Sequence, residues 1–206
     1  MPEPLGIDGD VETVSFIPGD AGSDCWEHQH TEQGLRSAAE LLRGVHDASR
    51  GWRPPDDAQW GIPAMANPEV ICHGDPGPWN MVWDGPKAIG LVDWDLAHPA
   101  PVVDDVAYAL EYFAPFRDDL YAAERHHFPE PPNRRRRVEA FVEAYGLVAA
   151  SGLVDAVITR QQANINYVRV LADRGVQPQR QWVEEGILET LEERVRRSRA
   201  HRELFE

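Results

Sequence analysis

Between Val70 and Asp95 the chain sets short apolar runs between fixed turn residues, and this alternation constrains the fold more than any other stretch. Val70-Ile71-Cys72 reads as a strand, Pro76-Gly77-Pro78 as a forced turn, Met81-Val82-Trp83 as a second strand and Ala88 to Val92 as a third. Asp84-Gly85 is a hairpin signal, because glycine readily takes the positive φ that a tight turn demands. Pairing the two flanking strands brings Asn80 and Asp93 to neighbouring ends of one hairpin, within reach of a single ion. Asp75 stands five positions before Asn80, on the turn that leads into it. Carboxylate and carboxamide oxygens are hard donors of the kind Mg²⁺ accepts, with water and substrate phosphates completing its shell.

The runs HGDPGPWN (His73 to Asn80) and LVDWD (Leu91 to Asp95), followed by a helix opening with Asp104-Asp105-Val106-Ala107, resemble the aminoglycoside phosphotransferase family, kinase-like enzymes that are also similar to choline kinases. The resemblance implies an α+β, protein kinase-like fold, mostly the helical large lobe with a remnant of the small-lobe β-sheet. It implies ATP- and Mg-dependent phosphoryl transfer to a hydroxyl of a small molecule, with Asp75 as catalytic base and Asn80 and Asp93 as metal ligands. His73, Asp95 and Asp105 are expected around them: Asp105 bracing the loop, Asp95 near a second metal position or the acceptor. Residues 1–22 would be the remnant small-lobe hairpin and hinge, with Phe16 and Ile17 at the adenine, and residues 23–206 the kinase-like C-terminal lobe.

In that family a phosphate-covering loop, a strand lysine and a helix glutamate come before the hinge, and none of them occurs here. The single lysine, Lys87, falls in the turn between Asn80 and Asp93. The chain therefore reads as N-terminally truncated relative to the family, which leaves open whether it binds ATP alone. Two rival readings follow. One is a non-catalytic kinase-like lobe that binds a ligand or self-associates through an exposed cleft face, as a homodimer. The other is a metal-dependent hydrolase built on His73, Asp75, Asp93 and Asp95.

A net charge of −15 argues against a nucleic-acid partner, whose phosphates it would repel. It suits a cationic small substrate and equally serves solubility. No apolar stretch approaches the length of a membrane span, and the N-terminus lacks the pattern of a signal peptide, so a cytoplasmic location is the default expectation. Cys25 and Cys72 stand far apart and suggest no disulfide framework or zinc spacing; Cys72 reads as a core thiol.

Residues 5–19 read as a hairpin turning at Asp8-Gly9, with a strand from Thr13 to Ile17. Leu35, Ala38, Ala39, Leu42 and Val45 repeat at helical spacing over residues 31–50, where Thr31 can cap the start and His46 is expected to pack. A proline-rich loop over 51–68 should be anchored by Trp52 and Trp60, and Leu96 to Val103 reads as a second crossing loop. Helices are expected from Asp104 to Phe113 and over 117–127, from Arg134 through Tyr145, and at about 152–174 and 180–200. Four arginines at a helix start, Arg134 to Arg137, oppose the helix dipole and read as solvated. Glu111, Asp118 and Asp119 are the candidate acceptor-binding acids.

Overall fold

The computed structural model describes residues 1–9, 11–23, 25–148 and 151–206. Strands β1 (Pro4–Asp8) and β2 (Val11–Val14) form an antiparallel hairpin, with Asp10 of its turn outside the described residues. Its side chains are exposed throughout, Leu5, Ile7, Val11 and Val14 included. The second strand ends at Val14, short of Ile17, because the chain then crosses onto another hairpin. Asp20 and Trp83 exchange both backbone hydrogen bonds at 2.8 Å, and the close approach of Gly19 to the Trp83 carbonyl leaves no room for a Cβ.

Helix α1 (Glu32–Ser49) starts where Thr31 accepts the Gly34 N–H at 3.0 Å, and it buries Leu35, Ala38, Ala39 and Leu42 as the spacing predicts. Strand β3 (Val70–Cys72) pairs antiparallel with β6 (His98–Ala100), and β4 (Met81–Asp84) with β5 (Lys87–Leu91). Strand β6 lies in what the sequence presents as a loop. Pro99 lacks an N–H, but the register sets it opposite Ile71 in a two-stranded sheet, where its carbonyl instead takes the Met65 N–H at 2.8 Å. In the 51–68 loop Ile62 is the buried anchor, whereas Trp52 faces solvent.

The remainder is helical: α2 (Val103–Phe113), α3 (Asp119–His126), α4 (Arg134–Tyr145), α5 (Leu153–Asp173), α6 (Gln179–Glu184) and α7 (Ile187–Ala200). The last expected helix is split in two at Gly186, whose φ of 88° is left-handed and ends α6. One apolar core runs through α1, the β4–β5 hairpin, α2, α4, α5 and α7, centred on Trp83, Phe113, Phe141, Leu42 and Leu110.

The four arginines of α4 divide into two pairs. Arg135 and Arg136 are exposed, but Arg134 and Arg137 are buried, contrary to the solvated reading. The Arg134 guanidinium donates to the carbonyls of Pro115 (2.9 Å) and Arg117 (2.8 Å), and Arg137 to those of Phe113 (2.5 Å) and Gln29 (2.7 Å). They oppose the dipole of their own helix but satisfy the carbonyl end of α2, where orphan acceptors and partial negative charge collect.

Candidate active site

The loop from His73 to Asn80 is held from below by α2. Two acids at the start of that helix put their carboxylates under the loop. Asp105 is fully buried and accepts the N–H groups of His73 (2.6 Å) and Gly74 (2.8 Å) together with His46 Nε2 (3.0 Å). His46 in turn meets the Tyr145 hydroxyl at 2.6 Å, so α1, α2 and α4 share one buried polar chain. Burial works to raise the Asp105 carboxyl, but the His46 and Gly74 bonds outweigh it and hold it below its ordinary value. Asp104 takes Arg160 Nε of α5 at 3.0 Å, and the same guanidinium donates to the Gly74 carbonyl at 2.8 Å. Gly74 has φ +87°, and a Cβ there would sit 2.3 Å from the Leu96 carbonyl. Both features require glycine.

His73 is wholly buried, with both ring nitrogens engaged: Nε2 meets the Val92 carbonyl at 2.8 Å and Nδ1 accepts the Asp75 N–H at 3.2 Å. These partners place its proton on Nε2 and leave no lone pair for a metal, which removes it from the hydrolase cluster. Among the described residues, metal-ligating atoms meet in a different group, His46, Cys72 and Asp105, whose carboxylate is already saturated by hydrogen bonds.

Asp75 is half-buried. Its Oδ2 accepts Asn80 Nδ2 at 3.1 Å and Trp79 Nε1 at 3.3 Å. Tyr108 reaches the same carboxylate without closing a well-formed bond on Oδ1, which stays buried with no partner. Burial pushes the Asp75 carboxyl above its ordinary value; the Tyr108 phenol opposes the shift and the nearby charge of Asp93 adds to it. Asn80 spends its amide nitrogen on Asp75, at the side chain and at the backbone carbonyl (2.9 Å), so Oδ1 is the free end of the amide.

The β4–β5 ladder, with Met81 opposite Leu91, is extended by the Val92 N–H donating to the Asn80 carbonyl at 2.9 Å, which brings Asp93 beside Asn80. Asp93 is exposed and has φ +64°, an unusual backbone for a non-glycine residue. An amide oxygen and an exposed carboxylate at one hairpin end form a donor set that fits Mg²⁺. Asp95 is also exposed. Ile17 lies over Gly90 of β5, where a Cβ would be 2.7 Å from its Cδ1, whereas Phe16 projects into solvent.

Asp75 stands on the wall of a cleft of about 360 Å³ whose other walls include Trp79, Tyr108, Tyr112, Tyr167 and Trp182. Trp79 and Tyr112 meet edge to face at 4.7 Å, and Tyr112 packs on Tyr108 at 5.3 Å. The acids expected to bind an acceptor are absent from this cleft. Glu111 is buried against Arg117, Asp118 caps α3 and pairs with Arg197, and Asp119 pairs with Arg134. Sequence reasoning passed over the aromatic residues. Tyr108 and Tyr112 follow Asp104 at successive four-residue steps, a helical spacing that sets them on its face, whereas Tyr167 and Trp182 carry no comparable local signal.

Residues 58–141 match the profile of the phosphotransferase enzyme family. The chain is 32% identical over 155 residues to the trifolitoxin immunity protein of Rhizobium leguminosarum bv. trifolii, a match covering 72% of this chain and 58% of that protein. Its fold is similar to that of an ethanolamine kinase from Plasmodium vivax, with a TM-score of 0.55 at 14% identity over 83% of this chain and 62% of the kinase. The chain thus spans about three fifths of the length of each of these relatives. The architecture is α+β and kinase-like. No helix among the described residues is long and apolar enough to cross a membrane.

Proposed function

Residues 58–141 carry the pattern of the phosphotransferase enzyme family within a kinase-like fold, and from that premise we propose that this chain supplies the catalytic loop of an ATP- and Mg-dependent phosphotransferase acting on a hydroxyl of a small molecule. The observation that carries the reading is the Asp75 carboxylate on the wall of the cleft, half of which is anchored by Asn80 and Trp79 while the other oxygen is buried beside Tyr108 with no well-formed hydrogen bond. A buried acceptor without a donor costs free energy that a substrate hydroxyl would recover.

In this scheme the acceptor hydroxyl donates to Asp75 Oδ1, and its oxygen attacks the γ-phosphorus. The bond from that phosphorus to the bridging oxygen breaks, ADP departs with the electron pair, and the hydroxyl proton ends on Asp75. Asn80 Oδ1 and the Asp93 carboxylate would hold Mg²⁺, which when bound offsets charge on the phosphate oxygens. Asp105, the Asp104–Arg160 pair and His73 fix the loop carrying Asp75, so the base is positioned before substrate arrives. Phe16 and Ile17 are the proposed adenine contacts, in a hairpin-and-hinge segment 1–22 that precedes the helical lobe 23–206.

The assay is transfer of labelled γ-phosphate to a panel of small hydroxyl compounds in the presence of Mg²⁺. Asp75→Asn should lower the rate by about 10²–10⁴-fold. Retention of wild-type transfer by that variant refutes the assignment. A second reading, a kinase-like lobe that binds a ligand without transfer, is favoured by one observation: the sequence holds no glycine-rich phosphate loop, and its lone lysine lies on the β4–β5 hairpin. A thermal-shift series separates the two. Mg-dependent stabilisation by ATP, about 2.7 kcal/mol at a hundredfold excess over Kd, supports transfer, and ATP indifference supports the binding lobe. The similarity to an immunity protein makes a toxin a third class of ligand to include in that series.

A further inference from the structure

We propose that the cleft beside Asp75 takes a planar aromatic acceptor that carries an acidic group, and that Arg194 of α7 reads that group. The inference rests on the phosphotransferase reading above and names its substrate class. Asp75 is the only carboxylate among the described lining residues, and it faces the cleft together with one guanidinium, Arg194. Of the other arginines of α7, Arg196 pairs with Glu193, Arg197 pairs with Asp118, and Arg199 is exposed and lies outside this cleft. Arg194 is half-buried and has no hydrogen-bond or ion-pair partner among the described residues. A half-buried, unpaired guanidinium in a largely apolar cleft is a standing demand for an anion, which its planar fork can hold through two parallel hydrogen bonds.

The remaining walls set the shape. Trp79, Tyr108, Tyr112, Tyr167 and Trp182 line the cleft; Arg160 covers one face of Tyr108 and of Tyr167 and Arg117 lies over Tyr112, so a ligand ring packs against the ring edges and faces that remain. Gln179 adds a buried, unpartnered Oε1, a second acceptor for a ligand hydroxyl or N–H. Aromatic walls alone would also suit an ammonium ligand, but that cation would share the cleft with an uncompensated guanidinium and find one carboxylate to balance both. A polycation would fare worse, because Glu111, Asp118 and Asp119 are paired elsewhere.

The test uses the full chain without nucleotide and reads ligand binding by quenching of tryptophan fluorescence, with calorimetry as a second measure. Its probes are 4-hydroxyphenylacetate and tyramine, which share a hydroxylated ring and differ in the sign of the side-chain charge, with choline and kanamycin alongside. The acid should bind roughly tenfold tighter than tyramine, Arg194→Gln should erase that preference, and Arg194→Lys should keep part of it. Tighter binding of tyramine, choline or kanamycin overturns the proposal, as does a failure of the acid to bind. So does a preference that survives Arg194→Gln with unchanged circular dichroism. Should Arg194→Gln not fold, the acid-to-amine ratio of the wild-type chain decides alone. A parallel run with labelled ATP and Mg²⁺ separates the two readings: binding of the acid with no transfer to any hydroxyl compound of the panel refutes the phosphotransferase reading and leaves this one standing, and phosphorylation of choline or kanamycin in preference to the acid does the reverse.

Discussion

Replacing Asp105 by alanine should cost more stability than any other single change near the candidate site. The carboxylate is fully buried and accepts three donors: the N–H groups of His73 and Gly74 and the ring of His46. Alanine leaves all three without a partner where water has no access, at about 1–3 kcal/mol for each stranded group. Even at the lower half of that range the sum is roughly 4–5 kcal/mol, close to the 3–5 kcal/mol typical of breaking a buried charged pair. A domain of this size has about 5–15 kcal/mol in total, so the variant sits near the edge of folding. Urea unfolding followed by tryptophan fluorescence should show the midpoint falling by about 2 M for a slope near 2 kcal/mol/M. Asp105→Asn keeps one acceptor oxygen and should lose about half as much. The carboxyl is held below its ordinary value of 3.8, so its contribution is fully present above that pH and is lost as pH falls through the lower folded value. Wild type should thus lose stability more steeply in acid than Asp105→Asn. A midpoint for Asp105→Ala within about 0.5 M of wild type would show that this carboxylate does not hold the loop.

Asp75 has the opposite sign. Its carboxyl is raised, so the folded state binds the proton more tightly and wild type loses stability as pH climbs from 3.8 through the raised value; Asp75→Asn should flatten that slope and melt at or above wild type at pH 7. The acid limb of the transfer rate should likewise lie above the ordinary Asp range. Arg160→Met leaves Asp104 with only His98, at 3.4 Å, and strands the Gly74 carbonyl, and should cost about 3–5 kcal/mol by chemical denaturation, with the double change Asp104→Asn/Arg160→Met recovering part of the loss. Gly74→Ala meets both a left-handed φ and the Leu96 carbonyl, and should cost at least about 2 kcal/mol by the same assay. Cys72 is buried and its thiol is pushed up by burial and by the Asp105 and Asp104 charges, so it should react with a thiol reagent only as fast as the chain unfolds.

What could be read in advance follows the range of the interactions involved. The β4–β5 hairpin, the Thr31 cap and the pairing of Val92 with Asn80, which leaves Asp93 as the next residue along, are set by residues a few positions apart, and local turn chemistry is visible in a sequence. Strand β6 was hidden because Pro99 argues against a ladder, and only its partner Ile71 makes the exception intelligible. Arg134 and Arg137 escape a sequence reading because the carbonyls they serve belong to Phe113 at the end of α2, to Pro115 and Arg117 beyond it, and to the segment before α1, and helix-dipole reasoning sees only their own helix. The aromatic cleft was missed for the same reason: its walls come from the loop, α2, α5, α6 and α7, which long-range packing alone assembles.

The rung between Asp20 and Trp83 joins the N-terminal segment to β4, the strand that begins directly after Asn80. The exposed β1–β2 ribbon is thus tied, through the few residues from Ser15 to Asp20 and this single rung, to the hairpin whose open end carries Asn80 and Asp93.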